Sequence, residues 1–373
     1  MNFRVHWKRC APLALAVLLL PRVSLCQNAR EQIEKEIARI SSAVQAKPDS
    51  DKDWKDAKPD IVNALNDARG SLAAGRLFAA LEDLGEAWGN LAAVEWMLGK
   101  PEVVKQGLPG FEAEWRKADA DLKAWERRYE EGRKNSVPLA VRAIAETNSA
   151  QSRKFYSSSH AYANASSHPT AQDAKDGLNI LGAAEGSIEF AVFCESLHFN
   201  EVPSAPSLRS LAPELHQLEE RMIAAYQPPR SIDKHPEFIR MHSALKEAGD
   251  MEAAHLYAGA LYKYLDALQM LEALDALSSG NTLTPEEFLS RVQKIRESFA
   301  SGTDSSMVQL FLERTENSNR SDAGAKGVSN PQIQQAVLTK VIPAYYAALE
   351  KREAPTQTTA PTITVTLVRW PYT

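Results

Sequence analysis

Ala74-Gly75-Arg76-Leu77-Phe78-Ala79-Ala80 opens a stretch in which Leu77, Leu81, Leu84, Trp88 and Leu91 recur every three or four residues. That spacing lays one apolar stripe along a helix. The glycine ahead of it reads as the left-handed residue that closes a preceding helix, so the segment predicts a tight helical hairpin. A second stretch, Ala248-Gly249-Asp250-Met251-Glu252-Ala253-Ala254, matches the first at an offset of 174 and predicts a second hairpin, turning at Gly249. At the same offset Gly85 pairs with Gly259 and Leu91 with Leu265.

The helical signal continues on both sides. Ile33, Ile37, Ile40 and Val44 form one apolar face, and Phe288, Val292, Ile295 and Phe299 form another. Thr284-Pro285-Glu286-Glu287 supplies a Thr cap, a proline at the first helical position and a glutamate at the capping-box position. Thr170-Ala171-Gln172-Asp173 and Asn330-Pro331 are start signals of the same kind. The spacing predicts helices over 30–46, 58–73, 76–99, 110–134, 137–150 and 171–198, then over 207–226, 234–248, 251–279, 285–301, 304–316 and 331–352. The expected class is all-α: helical hairpins in two similar six-helix halves, as a bundle or an α-solenoid. The halves span residues 27–200 and 201–353.

Composition agrees with a globular chain. Of 373 residues, 44% are apolar and 24% charged, which argues against disorder or a collagen-like repeat. Residues 1–26 read as a secretory signal peptide: Arg4, Lys8 and Arg9 precede the run Ala11 to Leu20, then Ser24 and Cys26 mark a cleavage site. Removing Arg4, Lys8, Arg9 and Arg22 takes the formal charge from −5 to −9, a poor balance for binding nucleic acid. The expected location is therefore exported, periplasmic or secreted, with no transmembrane segment. A lipid anchor at Cys26 is the rival, disfavoured because Leu25 stands where a lipobox wants a small residue. Past the leader only Cys194 remains, inside an apolar helical stretch. It reads as a buried thiol, and no disulfide framework is expected.

After Glu353 the composition changes. Residues 354–361 are a Pro/Thr linker, and 362–373 alternate threonines with Ile363, Val365 and Leu367 before Trp370 and Tyr372. Period-two alternation predicts one strand-forming tail in a helical protein. A lone strand has unsatisfied backbone groups, so Ile363, Val365, Leu367, Trp370 and Tyr372 are the candidate partner-binding residues.

Candidate chemistry is sparse. Glu195-Ser196-Leu197-His198 and Glu252-Ala253-Ala254-His255 each place a carboxylate and an imidazole on one helix face, the spacing that di-metal bundles use. Chance alone produces such pairs in a chain this rich in glutamate, and no metal or cofactor is expected. The polar segment Tyr156 to His168 carries serines and histidines and reads as a solvated loop rather than a nucleophilic site. Trp88, Trp96, Trp115 and Trp125 read as core or inter-helix packing. Arg127 to Lys134 reads as a solvated charged face. No catalytic motif is present. The expected function is an exported interaction or scaffold module that binds a protein or peptide. The alternatives are a helical enzyme or metal protein built on the Glu/His positions, and a small-ligand binder with its cleft between the halves.

Overall fold

The computed structural model describes residues 27–47, 49–133, 136–202, 206, 208–228, 231–279, 283–299, 304–316 and 330–350. They are predominantly helical, with no strand among them. The N-terminal set is α1 Gln27–Ala46, α2 Lys52–Ala73, α3 Leu77–Gly99, α4 Pro101–Gln106, α5 Leu108–Gly132, α6 Leu139–Ala163 and α7 Ala171–Glu195. The C-terminal set is α8 Ala212–Ala225, α9 His235–Ala253, α10 Tyr257–Ser279, α11 Pro285–Glu297, α12 Ser306–Glu316, α13 Asn330–Ala336 and α14 Ile342–Glu350, the last two joined by a π-helical turn Val337–Val341. The leader, Cys26, the linker and the tail residues Ile363, Val365, Leu367, Trp370 and Tyr372 lie outside the described residues.

Apolar periodicity explains most of these helices. Ile33, Ile37, Ile40 and Val44 are all buried, as are Leu77, Leu81, Leu84 and Leu91. Thr170 and Thr284 form complete capping boxes with Asp173 and Glu287. α2 begins six residues earlier than its periodicity predicts because Asp51 accepts from the Trp54 N–H at 3.0 Å, and buried Trp54 anchors that first turn. The N-terminal set is not six helices, since short α4 precedes α5.

α2 and α3 form one hairpin and α9 and α10 another; α1 flanks the first and α8 the second. α7 runs antiparallel to α3, and the two approach closely through small residues. A Cβ at Gly182 would stand 2.5 Å from the Trp96 Cβ, and one at Gly186 2.6 Å from the Ala92 Cβ. α6 packs on α7 and reaches across to α10, while α12 packs on both α3 and α6. α7 alone among the described helices is long and apolar enough to cross a membrane, but 61% of that apolar window is buried inside the protein. Cys194 near its end is fully buried, which pushes its thiol well above the usual range.

Both hairpins turn through a left-handed residue, Gly75 at φ +76° and His255 at φ +59°. The turns are hydrogen-bonded alike: Arg76 N–H donates to Ser71 O at 2.8 Å, and Leu256 N–H to Met251 O at 2.9 Å. Gly249 is not a turn residue. It lies inside α9, six residues before the left-handed position, so the hairpins correspond at an offset of 180 rather than 174. At that offset α3 and α10 start and end together, and Ala80, Leu81, Ala87, Leu91 and Ala93 correspond in sequence to Ala260, Leu261, Ala267, Leu271 and Ala273.

A second correction concerns Tyr156 to His168, expected as a solvated loop, of which the first eight residues are helical. α6 continues to Ala163, burying Ser152, Tyr156, Ser159 and Ala163. The four tryptophans lie half-buried between helices. Trp115 stacks on Tyr156 at 4.7 Å, Trp88 packs against Phe190 and Phe193, and Trp96 and Trp125 both donate to the Glu185 carboxylate on α7. Lys100 rides over the Trp96 ring at 4.0 Å.

Candidate functional site

Where the two sets of helices meet, buried carboxylates replace ordinary helix caps. α3 begins without a side-chain cap of its own at Arg76. Glu313 of α12 accepts instead, its Oε2 taking the Phe78 N–H at 2.8 Å and the Ala79 N–H at 3.0 Å, with Gln309 donating to Oε1 at 2.9 Å. α10 is served the same way: Glu146 of α6 accepts the Gly259 N–H at 2.8 Å. Burial pushes Glu313 up to about 7, against the pull of the amides that donate to it, and raises Glu146 as well. The positive end of each helix dipole favours the charged form, but desolvation outweighs it.

Beside Glu146 lies a buried polar cluster. Tyr129 and Arg133 sit in the stretch expected as a solvated face, yet Tyr129 is 1% exposed and its hydroxyl has no hydrogen-bond partner among the described residues. Arg133 lies 3.5 Å from Glu146, and Arg142 lies 3.6 Å from Glu195. Burial raises Glu195 to about 7, with Arg142 drawing it back. Alternation of signs along 127–134 hid this, because α5 turns Tyr129 inward and half-buried Arg133 follows at its C-cap.

The same junction holds a cleft of about 330 Å³ floored by α3 and α7, walled by α6, and closed at one end by α10 and α12. Small residues open it: Gly85 and Gly89 on α3, Ala183 and Ser187 on α7. A Cβ at Gly89 would meet nothing within 4 Å. The charged lining is internally matched. The Tyr262 hydroxyl donates to Glu82 and accepts from Arg314 at 3.0 Å; Arg314 also pairs with Asp266 at 3.1 Å. Lys263 pairs with Glu247 at 2.8 Å, and Glu86 is engaged too. The uncharged lining is different. Asn90 and Gln151 have no hydrogen-bond partner among the described residues, the Thr147 hydroxyl is buried without one, and Asn148 uses only its amide N–H, toward Ile144 O at 2.9 Å.

The residues singled out from sequence do not gather here. Glu195 faces Arg142, His198 sits against Gln32 on α1, Glu252 accepts from the Leu211 N–H at 3.1 Å, and His255 contacts the Tyr257 hydroxyl at 2.9 Å. The two Glu-x-x-His pairs are thus held by separate neighbours, and no group of three or more His, Cys, Asp or Glu is assembled for a metal among the described residues. His160 pairs with Glu112 at 2.9 Å against Trp115, while His168 contacts Ser167 in a loop. No histidine or cysteine lines the cleft, and its serine, Ser187, donates back to Ala183 O at 2.8 Å. The arrangement can hold a ligand by hydrogen bonds; it offers no activated nucleophile. The cleft was not legible in sequence because its walls come from five helices. No family model matches the chain, and neither curated proteins nor solved structures show a match to it.

Proposed function

We propose that the protein is an exported helical interaction module that binds a protein or peptide and carries out no reaction on it. The observation that carries this reading is the cleft at the junction, where Asn90, Gln151, the Thr147 hydroxyl and the Asn148 carbonyl oxygen have no internal partner among the described residues while the charges are matched. Export rests on the leader, 1–26. The strand-forming tail is proposed as a second contact, offering its backbone to a partner's sheet through Ile363, Val365, Leu367, Trp370 and Tyr372. We also read the chain as two similar halves that frame the cleft. Support comes from the paired hairpins and from the reciprocal placing of Glu146 and Glu313.

A small-ligand reading is favoured by one observation, a cleft volume near the lower end for small-molecule pockets. Thermal denaturation separates the two, because a ligand that binds only the folded state raises the melting temperature. Pooled short peptides and pooled sugars and amino acids are compared on the wild type and on Gly89→Leu, which fills the cleft. A peptide-dependent rise that the variant lacks supports the proposal. A rise with small solutes only replaces it with the second reading, and no cleft-dependent rise overturns both. For the tail, truncation after Ala360 is expected to keep the melting temperature and weaken partner binding; a lower melting temperature with binding intact removes the docking role.

A further inference from the structure

We propose that the cleft selects an extended, uncharged stretch of peptide, about four or five residues long, and discriminates against Asp, Glu, Lys and Arg within it. The inference rests on the reading of the protein as a peptide-binding module and adds the class of sequence bound.

Length comes from the walls. On α6 the lining residues Ile144, Thr147, Asn148, Gln151 and Phe155 follow one helical stripe. At a rise of about 1.5 Å per residue they span roughly 16 Å. α3 contributes a parallel stripe from Glu82 to Asn90. An extended chain advances about 3.3 Å per residue, so about four or five residues fill this trough. A compact solute would leave one end of it wet.

Chemistry comes from the polar groups with no partner inside the protein: exposed Gln151, half-buried Asn90 and Asn148, and the buried Thr147 hydroxyl. Asn90 and Gln151 each carry a carboxamide, a donor and an acceptor side by side, the same groups that one peptide unit presents. The Thr147 hydroxyl and the Asn148 carbonyl oxygen add two further positions along the α6 wall. Selectivity comes from the charges. A basic side chain entering the cleft would have to draw Glu82 away from Tyr262 and Arg314. An acidic one would have to draw Arg314 from Asp266, or Lys263 from Glu247. Arg314 is 12% exposed in its side chain, so opening its pairs strands charges in a poorly solvated place. An uncharged segment asks for none of these exchanges.

Gly89 controls entry. It lies on the cleft floor with open space where a Cβ would stand, so Gly89→Leu obstructs the trough without a clash at its first atom. The replacement also exchanges a glycine for a good helix former in mid-helix, which favours α3. The test is selection from a displayed library of random twelve-residue peptides against the full chain. Circular dichroism on Gly89→Leu confirms its fold, and Asn90→Ala/Gln151→Ala serves as a second variant that removes the carboxamides without filling the space. The expected result is enrichment of peptides sharing a run of four or five uncharged residues. Their binding should be lost in both variants and weakened at least tenfold by a single Asp or Lys inside the run. Enriched peptides that depend on Gly89 but carry charges in the run overturn the selectivity and leave the peptide-binding reading standing. Failure to recover any peptide sensitive to either variant overturns both.

Discussion

Glu146 and Glu313 hold the same station on two different helices: each is the eighth residue of its helix, α6 or α12, and each sends its carboxylate to the opening amides of a helix from the other set. The amides they cap, Gly259 and Ala79, are themselves 180 residues apart, the offset of the two hairpins. Neither helix can reach its cap without the other set in place, so these contacts tie the two sets into one packing unit. Glu313→Ala is expected to lower the unfolding free energy by about 2–4 kcal/mol, since two buried N–H groups lose their acceptor and a cavity is left. Glu313→Gln keeps an acceptor oxygen and is expected to cost less than half as much. Urea denaturation measures both; a loss in Glu313→Ala no larger than that of Glu313→Gln removes the capping role.

The same burial predicts the direction of pH dependence. Glu195 and Glu313 stand near 7 in the fold against an ordinary 4.5, so between those values the folded state holds protons that the unfolded chain has released. Stability therefore falls as pH rises from about 4.5 to 7 and levels off above, by up to about 3 kcal/mol per group. Glu146 is shifted the same way. The expected result is a melting temperature that drops between pH 5 and 7.5, with a smaller drop in Glu195→Gln and Glu313→Gln. A melting temperature that rises over this window would show that these carboxylates stay ionised in the folded protein.

The fold class was legible because buried apolar positions recur at three and four in nearly every helix. What was missed has physical causes. The second half of α6 buries Ser152, Tyr156, Ser159 and Ala163, which keep helical spacing but are small or polar, so hydrophobicity alone marks no stripe there. Glycine is the usual left-handed residue, so sequence points to Gly249 for the second turn, whereas His255 occupies that conformation and Gly249 stays helical. The partner-binding residues proposed in the tail lie outside the described residues. The cleft required knowing which helix faces meet, and no spacing along the chain encodes that.

The two left-handed positions invite a direct comparison. Gly75→Ala adds a Cβ where φ is +76° and is expected to destabilise by about 1 kcal/mol, through backbone strain alone because no atom lies near that Cβ. His255→Gly relieves the corresponding strain at φ +59° and gives up only an exposed contact with the Tyr257 hydroxyl. It is expected to leave stability unchanged or raise it by up to about 1 kcal/mol. Equal losses at both sites in urea denaturation would mean that the His255 side chain, rather than backbone conformation, governs its turn.

Arg314 gathers three helices at the closed end of the cleft. From α12 it reaches Tyr262 and Asp266 on α10 at 3.0 and 3.1 Å, and Glu82 on α3 at 3.8 Å. Its guanidinium also lies 5.6 Å from the Tyr262 ring centroid. Removing the cation would leave Glu82 and Asp266 around a buried phenol with their shared counter-charge gone. Arg314→Gln is therefore expected to cost about 3–5 kcal/mol, the scale for breaking one side of a buried ion pair. Lysine keeps the charge but reaches fewer partners, so Arg314→Lys should fall between the two. The loss should not be confined to global stability. With the pairing undone, Glu82 becomes available to a basic side chain, so the surviving folded protein should bind Lys-containing peptides better relative to uncharged ones. If Arg314→Gln costs less than about 1 kcal/mol, the pairs behave like solvent-screened surface pairs, and charge matching no longer explains what the cleft refuses.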